Sequence, residues 1–291
     1  MAIGVLDGVH RGHRALIDRA RSEAAAAGGE AWILTFAPHP QRILCPDRAP
    51  SLLTCTPHKM KLLERTGAAG CVVMPFTPEL AEWEPERFIA HLVEQAPTLR
   101  EVVVGQNWRF GHAAKGDATL LKALADQHGF SAYIMESIQH EGRPISSTRI
   151  RQTITEGDMD EAADMLCRPF SVWGPVIHGA QRGRILGFPT ANLNPDNEVR
   201  PPAGIYAARA ELDGQLYDGA AYLAQPGSES QRRAEVEIHL FDVSLDLYGR
   251  EIEVYFIRKL RDDKAFDSEE ALSEQIAKDC AQAKSILAGT R

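Results

Sequence analysis

The chain has 291 residues, more than the roughly 100–150 typical of one domain, so two domains are expected. Its 32 basic residues against 40 acidic ones leave a net charge of -8, which argues against broad electrostatic binding to nucleic acid and requires local cationic sites for any anionic ligand. Five scattered cysteines (Cys45, Cys55, Cys71, Cys167, Cys280) form neither Cys-x-x-Cys pairs nor a disulfide framework, and no apolar run approaches the ~20 residues of a membrane helix. With no secretory pattern at the N-terminus, a cytoplasmic protein with reduced thiols and no membrane partner is expected.

An apolar strand is predicted from Met1 to Leu6, followed by the turn Asp7-Gly8-Val9-His10 and a helix from about Gly12 to Ala27 closed by Gly28-Gly29. Further strands are predicted at Ala31 to Phe36, Cys71 to Pro75, Glu101 to Gly105 and Ser131 to Met135. Helices are predicted between them at Met60 to Arg65, Pro85 to Glu94 and Thr119 to His128. This alternation predicts an α/β domain with a doubly wound parallel sheet covered on both faces, its ligand site at the carboxyl ends of the strands.

After Arg151 two short helices, Arg151 to Thr155 and Met159 to Leu166, lead to Arg168-Pro169, where the pattern changes. Strands are predicted at Ser171 to His178, Gly204 to Glu211, Gln215 to Leu223, Ala234 to Leu240 and Glu251 to Arg258, separated by Gly, Pro and Asp turns as in a small antiparallel β-barrel. A C-terminal amphipathic helix follows from Ser268 to Leu287, with Glu269 and Glu270 in its first turn. The boundary is placed near Met165 to Ser171.

The strand, glycine turn and helix around Gly4, Asp7, Gly8, His10, Gly12 and His13 carry the first chemical signal. Two histidines three apart can face one phosphate while the following helix presents its N-terminal amides, as adenylyl transfer requires when charge builds on the α-phosphorus and the leaving pyrophosphate. Spacing alone also allows an ordinary turn with solvated histidines. A second segment, Ser146-Ser147-Thr148-Arg149, places hydroxyls and amides at a helix start beside an arginine, a second phosphate clamp or a plain serine-rich cap. The two motifs together favour phosphate binding.

Together they resemble the bifunctional riboflavin kinase/FMN adenylyltransferase family of bacteria, also called FAD synthetases. The resemblance extends to Thr35-Phe36-Ala37-Pro38-His39-Pro40, to the stretch from Val104 through Asn107 and Trp108 to Gly111, and to Lys115-Gly116-Asp117. It implies that residues 1–166 transfer AMP from ATP to FMN with Mg2+, giving FAD and pyrophosphate. His10, His13 and Arg149 would act on the phosphates, with Gly4, Asp7, Gly8, Gly12, Ser146, Ser147 and Thr148 completing the ATP site. Phe36, Pro38, His39, Asn107, Trp108 and Asp117 would hold the flavin; without the resemblance, Phe36 and Trp108 read as core or lid aromatics and His39 as a turn residue.

Residues 167–291 are similar to a riboflavin kinase barrel through Gly174 to Gly179, the run Gly183 to Leu193, and Val236 to Asp242. By that resemblance Gly183, Gly187, Pro189, Thr190 and Asn192 bind ATP, Thr190 and Asn192 ligate its magnesium, and Glu237 is the base that takes the riboflavin 5′-hydroxyl proton. The pattern also recurs in Leu260-Arg261, Gln275-Ile276 and Asp279.

Two departures qualify the match. Residues 219–230 lack the Asn-Ile-Gly and basic-Pro-Thr elements of the family, so a weakened kinase is expected, the alternative being a flavin-sensing, non-catalytic barrel. Only Met1, Ala2 and Ile3 precede Gly4, so a first strand of ordinary length would need residues upstream. Adenylyl transfer to a pantetheine phosphate or nicotinamide mononucleotide would use the same histidines but not the barrel motifs. Length and charge decide no oligomeric state.

Overall fold

In a computed structural model that describes residues 1–289 apart from 180–182, 184, 185, 226, 229–234, 244 and 246, the chain forms two compact units, Met1–Ser147 and Thr148–Arg291. The first is a five-stranded parallel sheet in the order β3-β2-β1-β4-β5. Its strands are β1 (Ala2–Ile3), β2 (Trp32–Ala37), β3 (Gly70–Pro75), β4 (Glu101–Gly105) and β5 (Ser131–Met135). Strand order reverses between β1 and β4, the point at whose carboxyl ends sheets of this kind take their ligands.

Successive side chains of a strand face opposite sides, and both sides here are covered. Ile3, Leu34, Val102 and Val104 pack with Phe88, Ile89 and Leu92 of α5 (Pro85–Gln95) and with Leu121 and Leu124 of α6 (Ala118–His128). Ala2, Ile33 and Val103 pack with Leu16, Ile17 and Ala20 of α1 (Arg11–Ala26) and with Leu62 and Leu63 of α3 (Thr56–Glu64). Two short helices, α2 (Pro40–Leu44) and α4 (Pro78–Ala81), lie in the connections, and β6 (Gln139–His140) pairs with β7 (Arg143–Pro144).

Several predicted bounds shift. β1 ends at Ile3 rather than Leu6, because Leu6 (φ 56°) and Val9 (φ 42°) turn the chain through left-handed backbone. α3 starts at Thr56 rather than Met60, with Pro57 in its first turn where a missing N–H costs nothing. α7 (Ser147–Glu156) begins four residues ahead of Arg151, so Ser147, Thr148 and Arg149 stand in its first turn, whose N–H groups have no partner within the helix.

In the second unit α8 (Met159–Leu166) packs on two barrel strands, β8 (Phe170–Ile177) and β13 (Glu251–Arg261), burying Met159, Ala162, Met165 and Leu166. The compact units therefore divide earlier in the chain than the boundary read from the sequence. With β9 (Ala191–Leu193), β10 (Gly204–Leu212), β11 (Gln215–Leu223) and β12 (Val236–Leu240), these strands close an antiparallel barrel in the order β10-β11-β12-β9-β8-β13. Sequence periodicity missed β9, which is too short to alternate. The predicted start of β12 at Ala234 lies outside the described residues.

α9 (Glu269–Ala288), capped by Ser268 Oγ on the Ala271 N–H, lays Cys280, Ala283 and Leu287 on Ala207 and Phe241. It is also fastened by charge: Arg261 at the end of β13 donates to both oxygens of buried Asp279, at 2.8–3.1 Å, and Gln275 Nε2 donates to the same carboxylate at 2.8 Å. Arg261, Gln275 and Asp279 are thus a structural clamp.

Candidate active sites

The turn Val5–His10 leaves β1 at the strand-order reversal. His10 is its last residue and caps α1, Nδ1 accepting the His13 N–H at 3.3 Å. A ring nitrogen that accepts carries no proton, so a neutral His10 ring holds its N–H at Nε2. The two imidazoles stack, with centroids 3.5 Å apart and planes 18° apart. Burial first, then His10 and Lys59, hold the His13 pKa well below the ordinary 6.5, so this ring is neutral at pH 7. Its Nδ1 is buried without a hydrogen-bond partner among the described residues, an atom that a phosphate oxygen would satisfy.

The turn is costly in itself. Left-handed non-glycine residues such as Leu6 and β-branched Val9 cost about 1–3 kcal/mol each, and persist only where neighbours over-determine them. Gly8, at φ 83°, meets the same demand freely, and a Cβ there would lie 2.7 Å from Leu53 Cδ1. The over-determining neighbour is the segment Leu53–Lys59. Asp7, 4% exposed, accepts from the Leu53 N–H (3.1 Å), the Thr54 N–H (3.0 Å) and Thr54 Oγ1 (3.0 Å), and the Gly8 N–H donates to Thr54 Oγ1 at 3.1 Å. Asp7 therefore shapes the turn through these bonds. From the other side Ser147 Oγ donates to Asp7 O at 2.9 Å, which brings Ser147 onto the histidine turn.

Ser146 and Thr148 are exposed, and the Arg149 guanidinium pairs with Glu161 of α8. Phe36 is buried at the end of β2, edge-on to Phe76, and Trp108 stacks on Phe110 at 4.6 Å, so both belong to the aromatic core beside the crevice. His39 caps α2 and Asp117 caps α6, accepting from Gln41 N and Leu120 N. Pro38, joined by a cis bond to Ala37, and Asn107 are exposed. Lys59, buried and bonded at the ends of β1 and β2, lies just ahead of the helix predicted from Met60 and was not among the predicted site residues; its spacing to Leu62 and Leu63 on one helix face was the available signal.

In the barrel, register brings Asn192, Tyr222 and Glu237 together. Glu237 of β12 stands opposite Asn192 of β9 on one side and Tyr222 of β11 on the other, so the three side chains share one face of the sheet. Val236, Ile238 and Leu240 on the alternate face are buried, while Glu237 and His239 are half-buried. Asn192 Nδ2 donates to Thr190 O at 3.4 Å, which leaves Oδ1 as the accepting end. A Cβ on Gly179, two residues past β8, would lie 2.5 Å from the Asn192 amide, so a larger residue there would displace that side chain. His239 Nδ1 meets Pro189 O at 2.8 Å and the Phe188 N–H donates to Gly183 O at 2.7 Å, fixing the run before Thr190; Gly187 turns it at φ 86°. Tyr222, within the departing stretch, donates to Asp263 Oδ2 at 2.8 Å; residues 226, 229 and 230 of that stretch lie outside the described ones.

A doubly wound sheet with a histidine pair at its strand-order reversal, followed by a closed barrel with a Glu-Asn pair on one face, defines a two-part enzyme of phosphate-group transfer. The FAD synthetase family model matches residues 1–149, and the riboflavin kinase family model matches residues 166–287. The bifunctional riboflavin kinase/FMN adenylyltransferase of Escherichia coli (strain K12) is 32% identical over 292 residues, spanning 100% of this chain and 93% of that protein. Its namesake in Bacillus subtilis (strain 168) is 32% identical over 290 residues, spanning 97% and 90%. A solved structure described as a macrolide-efflux protein from Streptococcus pneumoniae superposes with a TM-score of 0.81 at 30% identity, over 96% of this chain and 91% of that one. Among the described residues of this chain no helix is long and apolar enough to cross a membrane. The chain belongs to the bifunctional riboflavin kinase/FMN adenylyltransferase family.

Proposed function

We propose that the chain converts riboflavin to FAD in two ATP-dependent steps, with residues 1–166 serving adenylyl transfer and residues 167–291 serving phosphorylation. In the first half an FMN phosphate oxygen forms a bond to the α-phosphorus of ATP, the bond to the bridging oxygen breaks, and pyrophosphate leaves. His10 Nε2–H, His13 and the amides opening α1 stabilise the charge that builds on these oxygens. By the family resemblance Ser146, Ser147, Thr148 and Arg149 serve the ATP phosphates, Arg149 releasing Glu161 to do so. Asn107 and Pro38, exposed beside the aromatic core, receive the flavin. The observation that carries this reading is the stacked histidine pair with the buried, unsatisfied His13 Nδ1.

In the barrel Glu237 takes the proton of the riboflavin 5′-hydroxyl as its oxygen bonds to the γ-phosphorus and ADP leaves. The Thr190 hydroxyl and Asn192 Oδ1 are small neutral oxygen donors of the kind magnesium accepts while keeping waters and phosphate oxygens. Bound there, magnesium would neutralise charge on the β- and γ-phosphates. ATP, riboflavin, FMN and FAD are the small-molecule partners, in the cytoplasm and without nucleic acid or membrane.

The test is incubation with riboflavin, ATP and magnesium, and separately with FMN, ATP and magnesium, followed by chromatography of the fluorescent flavins. FMN and then FAD from the first mixture, and FAD from the second, are expected. No FAD from FMN would overturn the reading of the first half. No FMN from riboflavin over a range of ATP and magnesium would leave the barrel a sensor, in line with the Tyr222-bearing stretch beside Glu237.

A further inference from the structure

Lys59 has no place in the chemistry just described, yet it is 5% exposed, and burying a lysine is expensive unless its charge is met. Its Nζ donates to three oxygens: Val5 O at 3.1 Å, Thr35 Oγ1 at 3.0 Å and Phe36 O at 3.1 Å. Thr35 Oγ1 in turn donates to Val5 O at 2.9 Å, closing the set. An ammonium has three N–H donors and a neutral amine two, so three acceptors match the charged form. Burial lowers the Lys59 pKa, and the nearby Asp7 carboxylate and Cys71 thiol oppose that.

The identity of the acceptors gives the arrangement its meaning. Val5 is the residue from which the histidine turn departs after β1, and Phe36 is the penultimate residue of β2, just before Pro38 and His39. Both carbonyls lie at the carboxyl end of the sheet, where an ordinary ladder runs out of partners. The same segment holds Asp7 and Gly8 through Leu53 and Thr54. We infer that Lys59 is a positioning residue for adenylyl transfer: its ammonium bolts the strand end that carries the phosphate-binding histidines to the strand end that carries the flavin-binding turn.

This rests on the adenylyl-transfer reading above and adds a second consequence. His10, stacked on the His13 ring, and Lys59 of α3 both act to lower the His13 pKa, while Asp7 and Cys71 of β3 act to raise that of Lys59. Removing the ammonium takes away one of the causes that keep His13 from protonating.

The experiment uses the full chain carrying Lys59→Met, which keeps the aliphatic stem, and Lys59→Arg, which keeps the charge in a shape that does not fit three convergent oxygens. FAD formation from FMN, riboflavin phosphorylation and the imidazole titration of His13 by NMR are read on each. Misplacement of reacting groups by about 1 Å costs on the order of 100-fold, so Lys59→Met is expected to lose about 10- to 100-fold in kcat for FAD. Riboflavin phosphorylation should hold, and the His13 titration should move to higher pH. Lys59→Arg should leave the His13 titration near its wild-type position and still lose rate.

A folded Lys59→Met that keeps FAD formation within about threefold, with the His13 titration unmoved, overturns the inference. If Lys59→Met does not fold, Thr35→Val is read instead: a loss of FAD formation with kinase intact supports the inference, and wild-type rates overturn it. If wild-type protein itself makes no FAD, the functional reading fails, while the His13 titration still decides whether Lys59 faces the histidine turn.

Discussion

Asp7→Asn separates a nucleotide ligand from a residue that shapes the turn. The Asp7 carboxylate accepts the Leu53 N–H on Oδ2 and the Thr54 N–H and hydroxyl on Oδ1, all between 3.0 and 3.1 Å. Asparagine matches the shape, but its NH2 must point at one of two backbone N–H donors. Hydrogen bonds to a charged acceptor are worth about 1.5–3 kcal/mol, and an unsatisfied buried donor costs about 1–3 kcal/mol, so a loss of roughly 2–4 kcal/mol follows. For a chain of this size each kcal/mol is about 2–4 °C, giving a fall of roughly 4–16 °C in melting temperature. The loosened turn would release Gly8 and the strained Val9, and with them His10, so kcat for FAD should fall while riboflavin phosphorylation persists below the melting temperature. Thermal unfolding with an ATP titration of FAD formation reads both quantities. An unchanged melting temperature together with a KM for ATP raised about tenfold, and kcat kept, would refute this and make the carboxylate a nucleotide ligand.

Other expectations follow from the same geometry. Because the native His13 pKa lies below its unfolded value, His13 contributes stability that is full above about pH 6.5 and is lost as pH falls toward the native pKa, at up to about 1.4 kcal/mol per pH unit. Urea unfolding near pH 7.5 and pH 5.5 should therefore show a larger loss in wild type than in His13→Asn, and equal losses would refute the placement. Arg149→Ala should slow FAD formation and spare riboflavin phosphorylation, whereas Glu161→Gln, its partner's variant, should keep FAD formation within about threefold; matching losses would make the pair structural. Glu237→Gln should abolish FMN formation from riboflavin while FAD formation from supplied FMN continues, as separate chromatography of the two reactions will read, and persistent FMN formation would dismiss Glu237 as the base.

The sequence by itself determined the two-part architecture, because local periodicity and glycine punctuation are properties of neighbours along the chain. β4, β5 and β11 fall at their predicted bounds, and α9 differs by one residue at each end. It also put His10 and His13 three apart at the start of α1 and Glu237 in an alternating strand, and the structure stacks the first two and pairs the third with Asn192. What only the tertiary structure decided is what those residues are bonded to. Asp7 binds backbone 46 and 47 residues away, and Lys59 reaches oxygens at the ends of two strands, while its charge alone reads as surface. Likewise Glu237 meets Asn192 only through the pairing of β12 with β9, a strand too short for any period to reveal. Hydrogen bonds and register between distant segments are set by packing the whole sheet or barrel, and no local pattern encodes them.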